Sequence, residues 1–204
     1  DSVPTVNGAE FSSVFGQEDF NTGLNGLENN KTYLPKEAIE SNGVIYIDDA
    51  GNNRGLAVSL NNFANEGLAE GVIGQEDFES KVGECNVNSL NSLGGIEVLE
   101  SETGTQWIVS DYSNNRVMIW NNYEVGIEAD ASIVLGQASF EDCTRNGSDS
   151  HGLNAISRPR GVWSNGDKLI VGSGDSHRLL VWNSFPTTSS VEPDFQLGQE
   201  DDFT

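Results

Sequence analysis

One short phrase recurs four times along this chain and constrains its fold more than any other feature. "FGQEDF" at residues 15–20 returns as "IGQEDF" at 73–78, "LGQASF" at 135–140 and "LGQEDDF" at 197–203. The glycines Gly16, Gly74, Gly136 and Gly198 are separated by 58, 62 and 62 residues. A period of that size marks a repeat architecture, in which each unit buries its apolar surface against its neighbours.

Set on the Gly-Gln pairs, the rest of each unit falls into register. "VIYIDDAGNNRGLAVS" (44–59), "QWIVSDYSNNRVMIWN" (106–121) and "KLIVGSGDSHRLLVWN" (168–183) align so that Arg54, Arg116 and Arg178 are 62 residues apart at each step. Each unit holds four short segments rich in β-branched, aliphatic or aromatic residues and bounded by Gly, Asn, Asp or Ser. In the third unit they are "RGVWS" (160–164), "KLIVGS" (168–173), "RLLVWN" (178–183) and "DFQLGQ" (194–199); the first opens with "KEAIES" (36–41) and the second with "GIEVLE" (95–100). No segment carries a helical stripe. The reading is all-β, with blades of four antiparallel strands stacked as in a β-propeller. The period places blades at 18–75, 76–137 and 138–199. Residues 1–17, ending in "AEFSSVFGQ", read as the last strand of a preceding blade, and 200–204 as the start of the next connection.

The "ISRPRGV" (156–162) and "YLPKEAI" (33–39) openings, each followed by an apolar strand, an Asp-x-x-Asn-x-Arg-like turn and an aliphatic strand, resemble NHL repeats. The trailing "LGQ-x-x-F" is similar to the version in secreted bacterial NHL-repeat proteins, and the resemblance spans essentially the whole chain. With one strand, three complete blades and a further Gly-Gln, the chain is expected to be a portion of a propeller of six or a similar number of blades. Two departures stand out. The second unit has "SLGGIEV" where Pro is expected, and the third has Ser173 where the others have Asp49 and Asp111.

Recurrence argues for structural roles. Asp and Asn side chains bond turn backbone and tolerate left-handed conformations, and an Arg fork can bridge such a carboxylate to nearby carbonyls. Asp49, Asn53 and Arg54, with Asp111, Asn115 and Arg116 and with Arg178, are therefore expected to brace the turn between the second and third strands. At the junctions, Gly16, Gly74, Gly136 and Gly198 allow a kink, and the amides of Gln17, Gln75, Gln137 and Gln199 can pair with backbone. Phe20, Phe78 and Phe140 are expected as wedges between blades, with Trp120, Trp182 and the matching Val58 packed between blade faces.

In a four-stranded meander, the turn between strands two and three shares a face with the connection to the next blade. Those connections are long, Asn-, Gly- and Ser-rich and unlike one another: 21–33, 79–93 and 141–157. Long loops without their own secondary structure suit a binding surface or solvated decoration. Cys85 and Cys143 lie in two of them on adjacent blades, so a disulfide is expected; two Cys in separate loops lack the spacing of a zinc site. Asn30 ("NKT") and Asn146 ("NGS") match the glycosylation acceptor pattern, which in so Asn-rich a chain speaks for surface loop more than for glycan.

The balance of 32 acidic against 10 basic residues, a formal charge of −22, argues against nucleic acid and anionic membrane as partners, since neither gains the counterion release that Lys and Arg supply. No apolar run approaches the roughly 20 residues of a membrane span, so no membrane insertion is expected. Some propellers that resemble this family are lyases or lactonases with a channel metal held by His or by Asp, Asn and Glu. With His151 and His177 as the only histidines, a His-based centre is not available. A Ca²⁺ site built from Asp48, Asp49 and Asp111 stays open, because Ca²⁺ takes oxygen ligands flexibly; otherwise no cofactor is expected. Two classes follow: a non-catalytic extracellular or periplasmic module presenting its loop face to a protein, a glycan or another copy of itself, or a calcium-dependent hydrolase or lyase. Three blades do not close a ring, since propellers use about four to eight. Either further blades or self-association into a ring or filament must cover the exposed edges.

Overall fold

The computed structural model describes residues 13–65, 67–101, 104–126, 129–145 and 154–199. They form three four-stranded antiparallel sheets, each a simple meander, packed face to face in a β-propeller-like arrangement. The first comprises β1 (Ala38–Ser41), β2 (Val44–Asp49), β3 (Arg54–Ser59) and β4 (Gly71–Ile73); the second β5 (Leu93–Ser101), β6 (Gly104–Asp111), β7 (Arg116–Tyr123) and β8 (Ile133–Leu135). The third comprises β9 (Pro159–Ser164), β10 (Leu169–Ser173), β11 (Arg178–Trp182) and β12 (Phe195–Leu197).

Successive residues of a strand point to opposite faces, and the second sheet uses both. Trp107, Val109, Met118, Trp120 and Val134 pack against Tyr46, Ala57 and Ile73 of the first sheet. Ile108, Val117, Ile119, Ile133 and Leu135, their alternates, pack against Leu169, Val171, Leu180 and Trp182 of the third. That two-sided burial is why "WIV", "VMIW" and "IVL" read as continuous apolar runs rather than alternating ones. Tyr46 meets Trp107 edge-on at 4.9 Å, and Tyr123 lies 5.3 Å from the same indole. Gly55 and Gly71 leave room for this cluster, since a Cβ on Gly55 would collide with the Trp107 ring and one on Gly71 with the Tyr123 hydroxyl.

Several expectations need correction. Leu60–Asn65 forms a short helix, α1, although the sequence carries no helical stripe there; Phe63 on it stacks on Phe15 at 5.8 Å, and both cover Ile47, Leu56 and Val58 on the outer face of the first sheet. Phe20 is 55% exposed and is no wedge, whereas Phe78 and Phe140 are half-buried against the apolar clusters. The expected N-terminal strand falls largely on residues 1–12, outside the described residues; residues 15–17, its described end, form a bend. Residues 200–204 also lie outside them. The outer face of the third sheet is open: Trp163, Leu179, Phe195 and Leu197 are 48, 44, 40 and 52% exposed.

Candidate functional site

The loop face is organised by one hydrogen-bond pattern used twice. β2 ends in a 3-10 turn, Ala50–Asn52, closed by Asn53 in the left-handed region (φ 56°) that Asn tolerates. Asp49, fully buried, accepts from Arg54 Nε at 2.7 Å, from Asn52 Nδ2 at 2.9 Å and from the Tyr33 amide at 2.6 Å. The Arg54 fork then reaches the carbonyls of Leu27 (2.6 Å), Phe78 (2.5 Å) and Lys31 (3.1 Å), tying the connection before the sheet to the one after it. In the second sheet Asp111 accepts from Arg116 Nε at 2.8 Å, Asn114 Nδ2 at 3.0 Å and the Asn91 amide at 2.8 Å. Arg116 donates to the carbonyls of Phe140, Asn86 (2.9 Å) and Ser89 (2.8 Å).

The left-handed asparagines stitch each sheet to the next. Asn53 Nδ2 donates to the Lys81 carbonyl at 2.8 Å and its Oδ1 accepts from the Ser92 amide at 2.7 Å. Asn115 repeats this with Cys143 at 3.2 Å and Arg158 at 3.1 Å. Gln75 and Gln137 close the same corner, donating to Asn53 and Val82 (2.9, 3.1 Å) and to Asn115 and Thr144 (2.9, 2.8 Å). Gln17 bonds Leu24 through both ends of its amide, and Gln199 reaches the Ser176 and His177 carbonyls at 3.4 Å each. Gly16, Gly74, Gly136 and Gly198 all have positive φ, the kink that only glycine adopts without strain.

The third unit departs from the pattern. Ser173 stands in the carboxylate's place and accepts from the Ser157 amide at 2.9 Å, His177 takes the left-handed position (φ 52°), and Arg178 instead bonds Gln196 (2.8 Å) and the Ala155 carbonyl (2.8 Å). Burial lowers the pKa of the Arg178 guanidinium. Cys85 and Cys143 form a disulfide with Cα atoms 6.2 Å apart, joining the connections that follow the first and second sheets. It fits an oxidising, non-cytoplasmic compartment. Among the described residues no helix is long and apolar enough to cross a membrane. Asn30 is half-buried in a turn, and Asn146 lies outside the described residues, as does His151.

The three carboxylates considered for calcium do not come together as one site. Asp49 and Asp111 sit in different sheets, each committed to its own Arg. Asp48 points to the opposite face from Asp49, sharing the face of Val44 and Tyr46 that packs on the second sheet. It is fully buried, and neither oxygen has a hydrogen-bond partner among the described residues. Burial pushes its carboxyl up to about 7; nearby Lys36 opposes that, while Glu37 and Asp49 add to it. Burial likewise pushes Asp111 up to about 6, against the pull of Arg116 and three hydrogen bonds. Among the described residues, no group of three or more His, Cys, Asp or Glu side chains is placed to hold a metal ion.

A second cluster escaped the sequence reading. Tyr112, just past β6, lies under two guanidiniums, with Arg160 Cζ of β9 at 5.1 Å and Arg158 Cζ, just before β9, at 5.7 Å from its ring centroid. Asp175 receives Arg145 at 3.0 Å and Arg158 at 3.5 Å. No repeat announces these residues, because each stands at a position where the other units carry something else.

These three sheets with their braced turns define a β-propeller-like protein. No known family profile and no curated protein matches the chain. Among solved structures it is similar to Hsv2 of Kluyveromyces lactis at 13% identity and a TM-score of 0.38, over 85% of this chain and 59% of that one.

Proposed function

We propose that the protein is a non-catalytic binding or scaffold module of the NHL-propeller type, acting outside the cytoplasm and presenting its loop face to a protein or glycan. The observation that carries this is the paired Asp–Arg–Asn bracing: two buried ion pairs, two forward-reaching asparagines and a disulfide tie together the described parts of three polar connections of unlike sequence. A face held this way loses little entropy when it binds. The alternative, a calcium-dependent hydrolase or lyase, finds less support, because Asp49 and Asp111 are spent on arginines. The experiment is a glycan and extracellular-protein array probed with the disulfide-bonded chain, beside a lactone and ester panel with and without calcium. Saturable binding without turnover supports the module; calcium-dependent turnover overturns it.

A second reading, self-association, is favoured by the open face of the third sheet. Its cross-strand rows Trp163–Ile170–Val181–Phe195 and Leu179–Leu197 match rows that are buried in the other sheets, where Ile108, Ile119, Ile133, Val117 and Leu135 lie under the third sheet. A second copy would cover that face. Native mass compared with 22.0 kDa tests it, and Trp163→Lys with Leu197→Lys should return any larger particle to that mass. Self-association that persists in this variant rules out the face.

A further inference from the structure

We infer that the junction between the second and third sheets carries a carboxylate-binding site formed by Arg158, Arg160 and Arg145 around Tyr112, and that its ligand is a uronic-acid sugar. This rests on the binding-module reading and names the ligand class of its loop face.

The three units serve as controls for one another. Ile47, Val109 and Val171 hold equivalent places, pairing with Ala38, Ile96 and Val162. Counting from them, Arg158 is equivalent to Leu34 and Ser92, Arg160 to Lys36 and Gly94, Tyr112 to Ala50 and Gly174, and Asp175 to Gly51 and Ser113. The backbone at the first of these positions is common to all three units: φ is 50° at Leu34, 57° at Ser92 and 44° at Arg158. Each residue follows a long connection and leads into the innermost strand, and the last two receive the asparagine stitch. The scaffold therefore fixes the position and does not ask for arginine there. Side chains that the fold does not require, converging from three segments on one spot, point to a ligand.

Charge sharpens the point. Of the ten basic residues, Arg54, Arg116 and Arg178 are buried in the bracing. Three of the remaining seven lie at this junction: Arg145 and Arg158 pair with Asp175, and Arg160 sits over Tyr112. Arg145 also donates from Nε to Ser157 Oγ at 3.2 Å, and Arg160 from Nη2 to Tyr112 Oη at 3.4 Å, which leaves much of each five-donor fork for other acceptors. The cluster is thus locally cationic in a protein of charge −22.

That contrast selects the anion. A polyanion such as a phosphodiester or heavily sulfated chain would meet the field of the whole molecule. A single carboxylate on a neutral polyol meets only the local guanidiniums, whose planar forks match it in bidentate geometry. Ser113, exposed next to Tyr112, offers a hydroxyl partner for the polyol. An acidic peptide offers the same carboxylate without the polyol, and the test separates the two.

The test is a calorimetric or chemical-shift titration of the disulfide-bonded chain with D-glucuronate and D-galacturonate, beside methyl glucoside, acetate and an acetylated glutamyl peptide. Glucuronate should bind at least about tenfold more tightly than methyl glucoside or acetate, and more weakly at high salt. The Arg158→Ala/Arg160→Ala variant should lose about tenfold or more, while Lys168→Ala should bind as the parent does; Arg160→Gln and an unchanged urea midpoint guard against misfolding. Equal affinity for glucuronate and methyl glucoside, unaltered binding by the double variant, or binding of the peptide alone overturns the proposal. If the array finds another loop-face ligand while both uronates fail, this inference falls and the binding-module reading stands.

Discussion

Asp48 makes the stability of this protein depend on pH in a direction that can be worked from its surroundings. Its carboxyl is fully buried between the first two sheets without a hydrogen-bond partner among the described residues, and burial pushes it from 3.8 up to about 7. Below about pH 4 it is protonated whether the chain is folded or not, and contributes nothing to the pH dependence. Between about 4 and 7 the unfolded chain releases the proton and the folded chain keeps it, so stability falls as pH rises; above 7 the loss is complete. Three pKa units at about 1.4 kcal/mol each give about 4 kcal/mol, an order-of-magnitude upper figure. The second unit carries Ser110 at the equivalent position and the third Gly172, so Asp48→Ser installs a residue the architecture already accepts. The assay is urea denaturation of both proteins from pH 4 to 8, with urea chosen because it leaves ionic screening unchanged. General repulsion among 32 acidic residues also rises with pH, and subtracting one curve from the other removes it. The parent should lose ground to the variant steadily from pH 4 to 7, then stay level. Parallel curves across that range would show that Asp48 titrates normally and sink the reasoning.

Arg116→Met leaves Asp111 buried without its guanidinium and should cost about 3–5 kcal/mol in urea unfolding, most of it recovered when Asp111→Leu is added. Breaking the Cys85–Cys143 bridge, whose partners are 58 residues apart, should cost about 4 kcal/mol, read as the shift in urea midpoint between Cys85→Ala/Cys143→Ala and the oxidised parent. An unchanged midpoint would place the stabilisation elsewhere. Gly94→Ala would drive a methyl into the Pro159 carbonyl oxygen and to 3.0 Å from Arg160 Cα, both backbone atoms of the third sheet. It should lower stability by about 1–3 kcal/mol and weaken glucuronate binding through Arg160, whereas Gly23→Ala, with open space around it and no left-handed backbone, should cost less.

What was legible in the sequence was what recurs. The Asp49–Arg54 and Asp111–Arg116 pairs could be read because two copies at a 62-residue spacing make coincidence a poor explanation, and their bracing role follows from the donors and acceptors those side chains carry. The partners of those arginines could not be read, since Leu27, Phe78, Asn86 and Ser89 take part through backbone carbonyls that any residue supplies. Phe20 misled for the opposite reason: it copies the phrase of Phe78 and Phe140 but not their surroundings. α1 escaped because six residues with one phenylalanine, "LNNFAN", carry no periodicity to detect. Arg158, Arg160 and Tyr112 were not legible, because repetition is silent about a site that occurs once.

The third sheet shows where pattern and structure disagree, and the disagreement carries information. "KLIV" and "RLLVW" have the same continuous apolar character as their counterparts in the central sheet, where alternate side chains are buried on two faces. In the third sheet one set is buried against the second sheet, and in the other set Trp163, Leu179, Phe195 and Leu197 are exposed although Val181 is not. A strand adapted to one-sided burial alternates apolar with polar residues, because an apolar side chain in water gains nothing for the fold and invites association. These strands do not alternate. Their composition suits burial on both faces, and the uncovered face is therefore the surface on which the self-association proposed above is most directly tested.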